Sequence, residues 1–225
     1  MNAMKEHERE ISISVEDGEI AGTLVVPPNA SSVVVFAHGS GSSRLSPRNQ
    51  FVAEALQQVG IATLLMDLLT VAEDSVDEFT TEHRFNIGLL ARRVMLATDW
   101  VLDQPDWAKF NVGYFGASTG AAAALVAAAE RPNVQAVVSR GGRPDLAGDA
   151  LRAVKAPTLL IVGGDDREVI ELNREALAQL QCEKRLDIIP GATHLFEESG
   201  TLEQVARLAR NWFVEHFGGA SIRAA

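Results

Sequence analysis

The sequence predicts an α/β fold, a mostly parallel sheet with helices on both faces and an antiparallel hairpin at its start, and three observations carry the prediction. Short continuous apolar runs recur along the chain and alternate with stretches of helical character, the pattern of parallel strands buried on both faces. The chain begins instead with alternating apolar and polar residues on either side of Asp17-Gly18, a hairpin signature. The run Asn111 to Phe115 breaks at Gly116, presents Ser118, and passes through Gly120 into an alanine-rich helix.

Taken in order, Ile11 to Val15 and Ile20 to Val26 are the predicted hairpin strands, ended by Pro27-Pro28. The buried strands follow at Val33–Ala37, Ile61–Met66, Val112–Phe115, Val134–Ser139, Thr158–Val162 and Arg185–Ile189. Helices are expected near Pro47–Val59, Glu82–Leu102, Thr119–Glu130, Asp145–Val154, Ile170–Gln181 and Thr201–Phe217, with Ser46 and Pro47 as N-cap and first-turn residue of the first. A single domain is expected over residues 1–217, since 225 residues suffice for one substantial core and no repeat or linker interrupts them. The small residues 218–225 are expected to form a fraying tail.

Composition excludes several classes of function. A net charge of −10 without basic blocks disfavours phosphate backbones, so no nucleic-acid partner is expected. The apolar runs are too short to cross a bilayer and the first ten residues are charged, so neither a membrane span nor a signal peptide is expected. With Cys182 as the single cysteine no internal disulfide can form, which fits a cytoplasmic protein. No metal is expected, because neither HExxH nor clustered Cys/His spacing occurs, and no cofactor is required.

The chemistry centres on Ser118. In Gly116-Ala117-Ser118-Thr119-Gly120 a serine stands on a sharp strand-to-helix turn, where crowded backbone demands almost no side chain two positions to either side. A serine hydroxyl attacks an acyl carbon near neutral pH only when a base takes its proton and a third group orients that base. Of five histidines, His7 sits in the charged leader, His83 at a polar helix start and His216 at a helix end. His194, in Pro190-Gly191-Ala192-Thr193-His194, follows the last predicted strand on a glycine-containing loop and is the best base. Two adjacent aspartates, Asp165 and Asp166, follow the strand before it.

The order Ser, Asp, His, with the serine on a GxSxG elbow, is the order of the α/β-hydrolases. From about Val25 to Phe217 the sequence resembles a compact α/β-hydrolase of the dienelactone hydrolase-like group. The resemblance implies an acid three residues before a valine in Gly163-Gly164-Asp165-Asp166-Arg167-Glu168-Val169, which selects Asp166 and leaves Asp165 solvated. It also implies an oxyanion hole of two amides, Thr119 after the nucleophile and Ser40 in His38-Gly39-Ser40-Gly41, with His38 holding that loop. Dienelactone hydrolases proper carry cysteine at the elbow, whereas this chain has Ser118, so hydrolysis of short carboxylic esters is the expected reaction. Between Ser139 and Thr158 there is room for one short helix, so the lid domain that many such hydrolases insert there is not expected.

Arg140 and Arg143 follow the strand next to the elbow and are candidates for binding an acid group of a small-molecule substrate; ion pairs with Asp145 or Asp149 are the alternative. Acyl transfer, lactone or thioester hydrolysis on the same residues, and a non-catalytic binding protein of this fold are the competing functions. A dinucleotide loop at Gly39-x-Gly41 is set aside, since Arg44 stands where the third glycine belongs. Oligomeric state leaves no trace in the sequence.

Overall fold

The computed structural model describes residues 8–218. Of the expected tail at 218–225, residues 219–225 lie outside the described residues, as does His7. Eight strands form one sheet: β1 (Glu8–Val15), β2 (Gly18–Val25), β3 (Ser32–Ala37), β4 (Ala62–Met66), β5 (Asn111–Ala117), β6 (Val134–Arg140), β7 (Thr158–Gly163) and β8 (Lys184–Ile189). Their spatial order is β1-β2-β4-β3-β5-β6-β7-β8. β1 pairs antiparallel with β2, and β2 antiparallel with β4; every later pairing is parallel.

Helices α1 (Pro47–Gln57), α2 (Val71–Thr80), α3 (Ile87–Leu102), α4 (Thr119–Glu130) and α5 (Arg167–Gln179) lie between strands, and α6 (Thr201–His216) follows β8. Because successive strand residues point to opposite faces, apolar runs feed two cores. Val33, Val35, Val112 and Tyr114 face α3 and α4, while Val34, Phe36 and Phe115 face α1 and α6. Ser46 caps α1 by accepting the Asn49 amide at 3.4 Å, with Pro47 at the first helical position.

Two expectations change. The helix predicted from Glu82 begins at Ile87, where Asn86 accepts the Leu89 amide, and α2 lies before it in a segment with no predicted helix. α2 is fixed by a capping box between Thr70 and Glu73 and by Asp77, which is buried against Arg84. The helix predicted over Asp145–Val154 is a 3-10 segment, Pro144–Ala153, broken at Gly148 with φ 53°.

The parallel strands all release the chain at one edge, where a ligand meets the ends of several strands at once. There stand Ser118 after β5, Arg140 at the end of β6, Asp166 after β7 and His194 after β8. The turn at Ser118 depends on tight backbone contacts. A Cβ on Gly120 would lie 2.3 Å from the Ala37 carbonyl oxygen and 2.4 Å from that of His38. Since backbone cannot yield, Gly120→Ala is expected to destabilise by about 3 kcal/mol. Thermal melts should show a fall in Tm of roughly 6 to 12 °C; a fall below about 2 °C contradicts the packing described.

Candidate active site

Ser118 has φ 50° and ψ −122°, a conformation that a non-glycine residue holds only when its surroundings impose it. The impositions are visible. The Ser118 amide donates to the Arg140 carbonyl, and its own carbonyl accepts the Ala121 and Arg143 amides. A Cβ on Gly116 would fall 2.4 Å from the Ala121 Cα, so the helix starts against the strand it leaves. Thr119 then opens α4, where the first amides have no acceptor within the helix.

His194 Nδ1 lies 2.6 Å from Asp166 Oδ2. Asp166 occupies the N-cap position of α5 and makes no side-chain capping bond, so its carboxylate is left for the histidine. Asp165 is exposed, and its amide rather than its carboxylate ties the loop to the Ala192 carbonyl. With Nδ1 engaged, the other imidazole nitrogen is the one free to exchange a proton with a neighbour. Ser118, His194 and Leu195 line a cleft of about 200 Å³ whose further walls are Gly39 and Ser40 on one side and Arg48, Asn49 and Arg140 on the other. Ser118 Oγ makes no hydrogen bond among the described residues, a loose geometry that is common before substrate arrives.

The loop after β3 approaches Ser118 so closely that a Cβ on Gly39 would lie 2.9 Å from that of the serine. His38 holds this loop from behind. Its Nε2 accepts the Leu68 amide at 3.1 Å, so the proton resides on Nδ1, which donates to the Gly39 carbonyl at 2.9 Å. Burial lowers the His38 pKa below its ordinary 6.5, against the opposing pull of the Gly39 carbonyl, Asp67 and Asp74. The unfolded chain therefore binds the extra proton first. Stability from this group is complete above that value and is lost as pH falls through it. Thermal melts of the protein and of His38→Gln are expected to diverge most near pH 7 and to converge towards pH 5; parallel curves contradict the assignment.

Two expected positions differ in detail. The Ser40 amide donates to Thr119 Oγ1 at 2.9 Å, so this amide is already engaged within the protein. Arg143 does not line the cleft; Asp145 accepts from it twice, at 2.9 and 2.7 Å, because a carboxylate two residues away meets its fork with little ordering cost. Arg140 lines the cleft as expected, buried beside Ser118, and its side chain makes no hydrogen bond among the described residues. Arg48 and Asn49, which the sequence did not single out, also line the cleft, because α1 enters the sheet edge over the loop that follows β3. Cys182 is half-buried and lies within reach of Thr158, away from the cleft.

No helix among the described residues is long and apolar enough to cross a membrane, and no group of three or more His, Cys, Asp or Glu side chains among them is placed to hold a metal ion.

A strand-to-helix elbow at one edge of an eight-stranded, mostly parallel sheet defines an α/β hydrolase. The chain belongs to the dienelactone hydrolase family, whose model matches residues 20–218. It is 61% identical to a crystal structure described as a dienelactone hydrolase from Anabaena variabilis, with a TM-score of 0.90 over 94% of this chain and 99% of that one. A Xanthomonas campestris protein described as an α/β serine hydrolase without lid shares the fold at 19% identity, with a TM-score of 0.74 over 94% of this chain and 96% of that one. Mycobacterium tuberculosis proteins provisionally named phosphoribosyl transferases are 57% identical over 213 residues. That match takes in 94% of this chain and 47% of theirs, so the chain spans about half the length of these curated relatives.

Proposed function

We propose that the protein is a serine hydrolase that cleaves short-chain carboxylic esters through an acyl-enzyme on Ser118. The observation that carries this reading is the 2.6 Å pairing of Asp166 with His194, which lines the cleft that Ser118 opens onto. Ser118 Oγ attacks the ester carbon as its proton passes to the free imidazole nitrogen of His194. Asp166 fixes the tautomer and steadies the imidazolium that forms. The tetrahedral oxyanion takes the amides of Thr119 and Ser40, the latter in exchange for its bond to Thr119 Oγ1. His194 then protonates the leaving alkoxide. Water, deprotonated by the same imidazole, attacks the acyl-serine and releases the carboxylic acid and free Ser118.

A hydrolase accounts for the same residues that the family model matches, whereas the transferase name belongs to proteins about twice the length of the matched span. The single free cysteine suits a cytoplasmic setting, where we place the protein. A fluorophosphonate is expected to inactivate the enzyme and label Ser118; labelling elsewhere overturns the mechanism.

The connection between β6 and β7 carries only the short 3-10 segment, so no lid built there covers the acyl group. Across p-nitrophenyl esters kcat/KM should stop rising beyond roughly four to six acyl carbons, where the ~0.8 kcal/mol per methylene finds no further surface to bury. A preference for ten carbons or more contradicts this. It would give the covering role to α2 and its flank, where Val71, Val76, Phe79 and Phe85 are exposed.

A further inference from the structure

We propose that the cleft of Ser118 contains a subsite for a doubly charged anionic group, a phosphate monoester carried by the substrate, built by Arg140, Arg48 and Asn49. The proposal rests on the ester hydrolase reading and names the class of ester.

Arg140 is the last residue of β6 and stands directly across from Ala117, the residue before the nucleophile, in the parallel pairing of β5 with β6. Its carbonyl accepts the Ser118 amide, so the side chain is anchored beside the elbow. The residue is 6% exposed, among the described residues no carboxylate pairs with it and its Nε has no partner, and the guanidinium carbon lies 5.9 Å from the centre of the Phe196 ring. Buried arginines are ordinarily satisfied by a carboxylate or by carbonyls, and an unsatisfied one that lines a cleft waits for an anion from outside.

Arg48 brings a second guanidinium to the same cleft from the first turn of α1. Its Nε is also buried without a partner among the described residues, and Glu197 meets Arg48 only loosely, at 3.6 Å on the exposed rim. Burial, and next the nearby Arg48 charge, push the Arg140 pKa down to about 10. Two like charges that weaken one another in a closed space are stabilised together by one dianion. Asn49, 2% exposed, lines the cleft with a carboxamide that makes no side-chain hydrogen bond among the described residues. The amino-terminal turn of α1, which Arg48 and Asn49 form with Ser46, adds the positive end of an 11-residue helix. No carboxylate lines the cleft among the described residues, and Asp166 behind it is committed to His194. A single carboxylate would neutralise only one guanidinium, whereas phosphate answers both.

Two measurements test this. In the first, inorganic phosphate at pH 7.5 is compared with acetate at matched ionic strength by thermal shift, using the protein and Ser118→Ala. Phosphate is expected to raise Tm in both, the rise being lost in Arg140→Gln and reduced in Arg48→Gln, with circular dichroism checking that each variant is folded. Arg48 is partly exposed, so its variant keeps the test open if Arg140→Gln does not fold. No specific rise with phosphate, or a rise left undiminished by loss of either arginine, overturns the subsite.

In the second, kcat/KM is compared for three acetate esters of one alcohol skeleton: acetylglycerol phosphate, acetylglycerate and neutral acetylglycerol. The phosphate ester should exceed the neutral one by roughly 10- to 100-fold, the scale of one or two charge-assisted hydrogen bonds. Equal rates for phosphate and carboxylate overturn the dianion assignment; equal rates for all three overturn the subsite. If none is hydrolysed while the phosphate-specific shift persists in Ser118→Ala, the subsite stands and the hydrolase reading fails.

Discussion

Ser118→Ala is expected to remove ester hydrolysis while leaving the protein folded, with kcat lowered on the order of 10⁴- to 10⁶-fold, the scale on which a triad nucleophile contributes. The fold should survive because Ser118 Oγ makes no hydrogen bond among the described residues, and the constraints on the turn come from backbone groups that alanine keeps. Tm should stay within about 2 °C. Turnover of p-nitrophenyl acetate and a thermal melt on one preparation decide it. Retained turnover moves the nucleophile elsewhere, whereas lost turnover with a collapsed melt would show that the hydroxyl serves structure as well as chemistry.

The second large effect is at Asp166. Asp166→Asn keeps size and shape, yet an amide facing His194 Nδ1 removes the charge that steadies the imidazolium and permits the wrong tautomer. A fall in kcat on the order of 10⁴-fold is expected. Asp165→Asn should cost less than about threefold, since that side chain is exposed and the loop is tied through its backbone amide. Rates for the two variants side by side give the result. A larger loss at Asp165 transfers the orienting role to it.

The parallel core was legible in the sequence because β3, β5, β6 and β7 are buried on both faces and so had to be continuously apolar. The elbow was legible for a related reason: Gly116 and Gly120 stand where any Cβ would meet backbone. α2 escaped notice because it is apolar on the wrong side. It buries Asp77 and exposes Val71 and Phe79, so a search for an apolar face pointing inward passes over it. The capping pair Thr70 and Glu73 was the signal that would have found it. Arg143 had two partners within reach, a ligand or Asp145, and only side-chain geometry separates them. Arg48 and Asn49 lie some seventy positions before Ser118 on a helix that also packs against α6, so nothing local marks them as neighbours of that serine.

The bond from the Ser40 amide to Thr119 Oγ1 bears on how the proposed reaction gains its selectivity. A neutral ester carbonyl offers that amide about what the threonine hydroxyl already offers, an uncharged oxygen, so exchanging one for the other gains little when substrate first settles. An alkoxide oxygen is a far stronger acceptor and displaces the hydroxyl at once. The donor is thereby silent in the Michaelis complex and speaks only as charge develops, which places its contribution in kcat and leaves KM almost untouched. On the proposed mechanism, a resting site that satisfies its own donor in this way would discriminate by the instant of bond formation rather than by the shape of what it binds.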